Sequence, residues 1–180
     1  LTLRGVLYTL GIGPSVTVWP TGCGPHPPLP HTTGRGRPAK TLRRDAEHKP
    51  MAVKALAKAL DPSEWMEVEW REGTNGLMNS RFTAMRVRPA HRDEKRIQVR
   101  DEEWLLIEWP EDEPDPTRYW LSTMPITISL EDLVCQAKLR WRIERDFQEL
   151  KDEIGMDHFE GRGWRGFHHH ASLCIATYGF

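Results

Sequence analysis

The stretch SLEDLVCQAKLRWRIERDFQELKDEIG, residues 129–155, carries the clearest secondary-structure signal in this chain of 180 residues. Its apolar side chains recur three or four residues apart: Leu139, Ile143, Phe147, Leu150 and Ile154. That spacing is typical of an amphipathic helix. Ser129 followed by Asp132 resembles a capping box at the start, and Gly155 is a natural stop at the end. The pattern therefore predicts one helix from Ser129 to Gly155.

A charged face lies beside this apolar stripe. Arg140, Glu144 and Lys151 are separated by four and seven residues, which places them within roughly 40° of one another on a helix. A carboxylate in that position can bind a hard cation such as Mg²⁺, and the flanking cations can hold phosphates. On spacing alone, an ordinary solvent-exposed face with ion pairs between residues four apart explains the pattern better.

The rest of the chain indicates an α+β protein. Apolar and polar residues alternate along several short runs between residues 65 and 123, which favours β-strands separated by turns rich in Gly and Pro. The predicted strands there include Trp65–Trp70, Phe82–Val87, Trp104–Trp109 and Tyr119–Ser122. Further elements are predicted outside this region: strands at Val6–Leu10 and Val16–Trp19, the first of them buried, and helices at Met51–Leu60 and from His168 onward.

Composition excludes some classes of protein. The chain has 25 Lys and Arg against 26 Asp and Glu, a net charge of −1, so it lacks an overall basic bias toward nucleic acid. Charge is nevertheless segregated, with a basic segment over residues 81–100 and an acidic one over 101–115. No apolar run reaches the ~20 residues that a membrane helix needs. Three widely spaced cysteines without a Cys-x-x-Cys pair fit reduced, cytoplasmic thiols.

A segment rich in Pro and Gly, residues 20–38, predicts a loop or linker. Within it, Arg35-Gly36-Arg37-Pro38 has the form of an AT-hook core, in which an extended segment enters a narrow minor groove. Lys40 follows, and with Arg43 and Arg44 it would add phosphate contacts. A solvated basic linker is an equally good interpretation of these residues.

Several segments together resemble one known family. The run from Arg140 through Glu144 to Lys151 resembles the Tyr-x2-Arg-x3-Glu-x6-Lys signature of bacterial insertion-sequence transposases of the DDE class, although Ala137 stands at the Tyr position. The similarity extends through YWLSTMP (119–125), RVRPAHRD (86–93), WREGTNG (70–76) and SVTVWP (15–20).

The resemblance implies a ribonuclease-H-like catalytic domain with a β-rich insertion. Two Asp and one Glu would hold two Mg²⁺ or Mn²⁺ ions, with Glu144 as the third carboxylate and both Asp residues located before Leu1. The chain is then expected to be a C-terminal part of the domain, truncated at both ends. The expected parts are core strands at 1–20, a basic linker at 21–50, a helix and the insertion at 51–128, and the Glu144 helix with a following helix at 129–180.

The same resemblance assigns roles to individual residues. Arg140 and Lys151 would grip DNA phosphates near the bond that is cut. Arg142 is a further candidate DNA contact. Arg165 is another, in a predicted loop that could reach DNA, although Trp164 in that loop could equally pack the two helices together. Tyr119 and Trp120 lie roughly where relatives stack a flipped base, but packing in the core of a strand is the more favoured interpretation of both.

The implied function is DNA transposition by metal-assisted hydrolysis followed by strand transfer. The expected partner is double-stranded DNA in the cytoplasm, at the nucleoid, with a homodimer in the full-length protein and no membrane. With Glu144 alone, the isolated chain is expected to lack nuclease activity. Two alternatives stay open: a non-catalytic DNA-binding module or decayed remnant, and a plain α+β domain with a chance motif. A zinc site at His168-His169-His170 is disfavoured, because neighbouring side chains on a helix diverge by about 100°.

Overall fold

The computed structural model describes residues 5–29, 39–73 and 76–179, with the backbone alone at residues 71–73, 76–77 and 140–142. The chain divides into two compact units, Leu1–Ala137 and Lys138–Phe180. The first is called the sheet unit below, and the second is called the helical unit.

An antiparallel sheet of seven strands forms the sheet unit. Its order is β1-β7-β6-β5-β2-β3, and β4 also pairs with β5. The strands are β1 (Thr9–Ile12), β2 (Thr17–Trp19), β3 (Met51–Ala52), β4 (Met66–Gly73), β5 (Gly76–Pro89), β6 (Glu103–Trp109) and β7 (Arg118–Ser122). The α+β class is confirmed, and so are four strands between residues 65 and 123. The predicted segments 1–20 and 51–128 share this one sheet.

Both faces of the sheet are covered, which explains the buried run at the centre of β6. Leu105 and Ile107 pack on one face with Val53 and Ala57 of the first helix, α1 (Val53–Lys58). Leu106 packs on the other face, with a cluster that includes side chains of the second helix, α2 (Leu130–Lys138). Alternation along a strand sends successive side chains to opposite faces, so β6 is apolar at every central position.

The first predicted strand is present, but it begins later than expected and is not buried. β1 begins at Thr9 instead of Val6 and continues through Gly11 to Ile12, whereas Val6, Leu7 and Leu10 are exposed. The register with β7 pairs Thr9 with Ser122 and Gly11 with Trp120. These pairings outweigh the weak strand preference of glycine, because strand propensity depends strongly on tertiary context.

The predicted helix at Met51–Leu60 is shorter than expected. Met51 and Ala52 form β3, which pairs with β2, and α1 then ends at Lys58. A 3-10 turn follows at Pro62–Glu64, where the side chain of Asp61 accepts a hydrogen bond from the backbone N–H of Ser63. The first two residues of the predicted helix are therefore in a strand, because they pair with β2.

The predicted single helix at 129–155 is two helices, α2 and α3 (Arg140–Asp152). Its two predicted ends are confirmed: the hydroxyl of Ser129 accepts from the backbone N–H of Asp132 at 3.0 Å, and Gly155 adopts a left-handed φ of 73°. Between them, Leu139 has ψ −14°, away from the helical value near −42°. No Gly or Pro marks this interruption.

The helical unit contains α3 and the last helix, α4 (Trp164–Tyr178). α4 begins four residues earlier than predicted, so Trp164 and Arg165 belong to its first turn instead of a loop. The apolar stripe of α3 is only partly buried. Leu150 is buried, whereas Ile143 is 58% and Phe147 is 50% exposed.

Candidate functional site

One helix carries the charged face that the sequence predicts. Arg140, Glu144 and Lys151 all belong to α3, and Glu144 and Lys151 are exposed. For Arg140 and Arg142 the structure describes the backbone alone. At a rise of about 1.5 Å per residue, Lys151 lies about 10 Å beyond Glu144 along the helix axis, and Arg140 lies about 6 Å before it.

A second glutamate on α3 is engaged within the helical unit. The carboxylate of Glu149 accepts a hydrogen bond from the hydroxyl of Tyr178 on α4 at 2.7 Å, and Arg145 Nε donates to it at 2.7 Å. The bond from Tyr178, and then the bond from Arg145, hold the pKa of the Glu149 carboxyl below its usual value. The same bond raises the pKa of the Tyr178 hydroxyl. Glu149 therefore links α3 to α4.

The carboxylate of Glu144 suits a hard divalent cation, which prefers oxygen ligands. However, no group of three or more His, Cys, Asp or Glu side chains that could hold a metal ion is found among residues 5–29, 39–73 and 76–179. Glu144 fits the role of a single ligand, and these residues do not complete a metal centre around it.

The three consecutive histidines lie in the first half of α4, and His168 and His170 have different neighbours. His170 Nε2 lies 3.0 Å from the carbonyl oxygen of Gly155 and 3.6 Å from the sulfur of Cys174. The ring of His168 instead contacts Trp164, with 4.2 Å between ring centroids. His170 thus packs α4 against the turn that ends α3.

The remaining predicted DNA contacts lie in different parts of the chain. Arg35 and Arg37 are outside the described residues. Lys40 is exposed in the sheet unit, in a segment without regular structure, and Arg165 is exposed on α4. Beside Arg165, the side chain of Trp164 is 74% exposed.

Tyr119 and Trp120, the candidates for stacking a base, lie in β7 on opposite faces of the sheet. Tyr119 is 2% exposed, its hydroxyl donates to the carbonyl oxygen of Pro116 at 2.8 Å, and burial raises the pKa of that hydroxyl. Trp120 is half-buried and packs against the cluster around Leu106. The geometry of Tyr119 is that of a core residue, which the sequence had favoured.

A buried carboxylate that the sequence did not single out organises the basic part of the sheet unit. Asp93 is 2% exposed. It accepts a hydrogen bond from Trp19 Nε1 at 2.7 Å and another from Arg44 Nε at 2.7 Å. The sequence grouped Arg44 with the phosphate contacts, but its guanidinium is occupied by this carboxylate. Asp93 and Arg44 are 49 residues apart, so no local pattern could reveal the pair.

Comparison with known protein families gives a match to part of the chain. Residues 1–77 match the family described as DDE superfamily endonuclease. The match covers less than half of the chain and ends well before Glu144, so it leaves the signature on α3 untested. It suggests a transposase-like nuclease, and nucleases of this superfamily act on DNA and generally use divalent metal ions. No curated protein and no solved structure matches the chain significantly.

In the described residues, no helix is both long enough and apolar enough to span a bilayer.

Proposed function

We propose that this chain is part of a DDE transposase and that Glu144 is one of the carboxylates that hold its divalent metal ions. Two segments that do not overlap support this proposal. Residues 1–77 match the DDE superfamily endonuclease family, and the Arg-x3-Glu-x6-Lys spacing at Arg140, Glu144 and Lys151 occurs independently near the other end of the chain. The agreement of these two segments is the observation that carries the proposal.

In this proposal, residues 65–123 are the β-rich insertion of a ribonuclease-H-like catalytic domain. Of their four strands, β4 and the first two residues of β5 lie within the segment that matches the family. The rest of β5, together with β6 and β7, lies between that segment and the helix that bears Glu144. This position agrees with the one that the resemblance implies.

Each residue on the charged face of α3 has a distinct task. Glu144 would supply one oxygen ligand to a divalent ion, and such ions activate a nucleophile and stabilise a leaving oxygen. Lys151 and Arg140 would contact phosphates on either side of the bond positioned at Glu144, since they flank it along the helix axis. Lys151 is exposed and able to make such a contact.

Duplex DNA binding tests this assignment. In a fluorescence anisotropy titration without divalent ions, we expect Lys151→Gln and Arg140→Gln each to weaken binding and to reduce the dependence of log K on log salt by about 0.9, the value for one lost phosphate contact. Glu144→Gln should leave binding unchanged or tighten it, because it removes a negative charge that faces phosphates. Glu153→Gln, which removes an exposed carboxylate just beyond the end of α3, is the matched control.

Wild-type binding that resists salt, or binding that neither cation variant changes, would contradict the proposal. With Mg²⁺ or Mn²⁺, we expect no DNA cleavage by the 180-residue chain, because Glu144 is a single ligand. Cleavage that Glu144→Ala abolishes would support the role of Glu144 and would show that this chain supplies the other ligands as well.

A non-catalytic DNA-binding module is the second candidate. The observation that favours it is the departure from the signature at Ala137, where the family has Tyr. This candidate predicts the same effects of the cation variants and no effect of Glu144→Gln on the response of DNA binding to Mn²⁺.

A further inference from the structure

Two basic segments that are distant in sequence are joined in the sheet unit. The backbone N–H of Leu42 donates to the carbonyl oxygen of Arg96 at 2.8 Å. Two residues further on, the guanidinium of Arg44 bonds to Asp93 and to the carbonyl oxygen of Ala90. These contacts hold the segment around Lys40 against the loop 91–100.

The cations in this region fall into two groups. Arg44 and Arg88 form contacts within the protein. Arg44 pairs with buried Asp93. Arg88 pairs with Glu102 at 3.5 Å and donates a hydrogen bond to the carbonyl oxygen of Cys23 at 3.1 Å. The second group is exposed, and none of its members forms an ion pair with a carboxylate elsewhere in the described parts of the chain. It consists of Lys40, Arg92, Lys95 and Arg96, which together are called the basic surface here.

Two carboxylates of the loop 91–100 lie near the basic surface, and Arg44 offsets one of their two negative charges. Asp93 is buried under Arg44. Glu94, the exposed carboxylate of the loop, lies 3.5 Å from the same guanidinium. The four cations of the basic surface, together with Arg44, exceed these two carboxylates by three charges, although the whole chain has a net charge of −1.

The backbone at Arg92 is strained. Its φ of 54° places it in the left-handed region, and it is the one residue other than glycine with a positive φ among those that the structure describes. Such a conformation costs an arginine about 1 kcal/mol, whereas glycine adopts it readily. Strain of this kind is concentrated at functional sites.

We propose that the basic surface is a second DNA-binding site, which contacts the phosphate backbone of duplex DNA. Several exposed cations on a surface with little opposing charge are suited to a polyanion. Duplex DNA is favoured over other polyanions because Lys40 lies within residues 1–77, which match an endonuclease family. The identity of the partner thus rests on the proposed function, whereas the site lies in the sheet unit, away from Glu144 in the chain.

Salt-dependent binding of the 180-residue chain to a fluorescein-labelled duplex of mixed sequence tests the site. Lys95→Gln/Arg96→Gln should lower the slope of log K against log salt by about 2, because each lost phosphate contact contributes about 0.9. The matched control is Lys54→Gln/Lys58→Gln, which also removes two exposed lysines, both paired with Asp115. This control should change the slope by much less.

The Arg92→Gly variant distinguishes an effect on DNA binding from an effect on stability. Glycine relieves the left-handed strain, so thermal stability should stay the same or rise, while the slope should fall by about 0.9. A slope that neither Lys95→Gln/Arg96→Gln nor Arg92→Gly changes would overturn the proposal, and so would an equal loss in the Lys54→Gln/Lys58→Gln control.

The outcomes also separate this site from the proposed function. If the wild-type chain does not bind the duplex, the DNA partner itself is refuted, and both proposals fail. If binding is steep in salt and depends on Lys151 but not on the basic surface, this site alone is refuted. Equal binding to anionic lipid vesicles and to the duplex, with the same sensitivity to Lys95→Gln/Arg96→Gln, would overturn the choice of DNA as the partner.

Discussion

The sheet unit and the helical unit bury their apolar residues to very different extents. In the sheet unit, Leu105, Leu106 and Ile107 are fully buried, because helices or loops cover both faces of β6. In the helical unit, Ile143, Phe147 and Trp164 are half or more exposed, and polar contacts such as the bond from Tyr178 to Glu149 join its two helices. The first unit is therefore stabilised mainly by its core, whereas the second relies more on individual contacts.

Truncation of one aliphatic side chain in each kind of environment gives the largest expected effect. Leu106→Ala should destabilise the sheet unit by about 2 to 5 kcal/mol, since it removes buried methyl groups and leaves a cavity. Ile143→Ala on the exposed stripe should change stability by roughly 0.5 kcal/mol or less. Urea denaturation followed by tryptophan fluorescence measures both. Equal losses would show that the two units do not differ in the way described.

The ion pairs of the two units provide a second comparison. Asp93→Ala leaves Arg44 and Trp19 Nε1 without their buried acceptor, so we expect a loss of about 2 to 3 kcal/mol in the free energy of unfolding. Arg145→Ala removes an exposed pair on α3, and exposed pairs contribute little. The same denaturation assay applies, and a negligible effect of Asp93→Ala would mean that the pair of Asp93 and Arg44 does not organise the loop 91–100.

The smallest effect concerns the hydrogen bond between Tyr178 and Glu149. Tyr178→Phe should raise the pKa of the Glu149 carboxyl toward its ordinary value of 4.5, since the bond from Tyr178 is the main cause that lowers it. NMR titration of the side-chain carboxyl carbon measures this shift. An unchanged pKa would show that Arg145 alone sets it.

The pH dependence of this contact follows from the direction of the shift. Because the folded pKa of Glu149 lies below its unfolded value, its contribution to stability is present above pH 4.5 and is lost as the pH falls through the folded pKa. The pKa of Tyr178 is raised, so its contribution is present below pH 10 and is lost at higher pH. Tyr178→Phe should abolish the dependence at high pH and reduce the one at low pH, because Arg145 still lowers the pKa of Glu149.

Local patterns predicted the elements that local physics determines. The alternation from residue 65 to 123 predicted strands correctly, and Ser129 and Gly155 marked real ends, since caps and two-residue periods depend on near neighbours. The break at Leu139 has no such signal. The start of β1 at Thr9 and the conversion of Met51–Ala52 into a strand depend on pairing with distant strands.

At the candidate site too, local patterns predicted some features, and others depend on contacts between distant segments. Helical periodicity was sufficient to predict that Arg140, Glu144 and Lys151 share one helix. The exposure of Ile143 and Phe147 could not be read from the stripe, because periodicity defines a face but not what covers it. The roles of Arg44 and Arg96 could not be predicted either, since they depend on contacts between segments about 50 residues apart.

The pairing of β1 with β7 has a consequence for the order of folding. The hydroxyls of Thr9 and Ser122 meet at 2.8 Å across 113 residues of chain, whereas β4 and β5 form a tight hairpin. Closing so long a loop is entropically costly, and contacts of this range slow folding. We therefore expect the hairpin to form early and β1 to dock last. As an edge strand with an exposed Leu10, β1 should also exchange its amide protons sooner than β5 or β6.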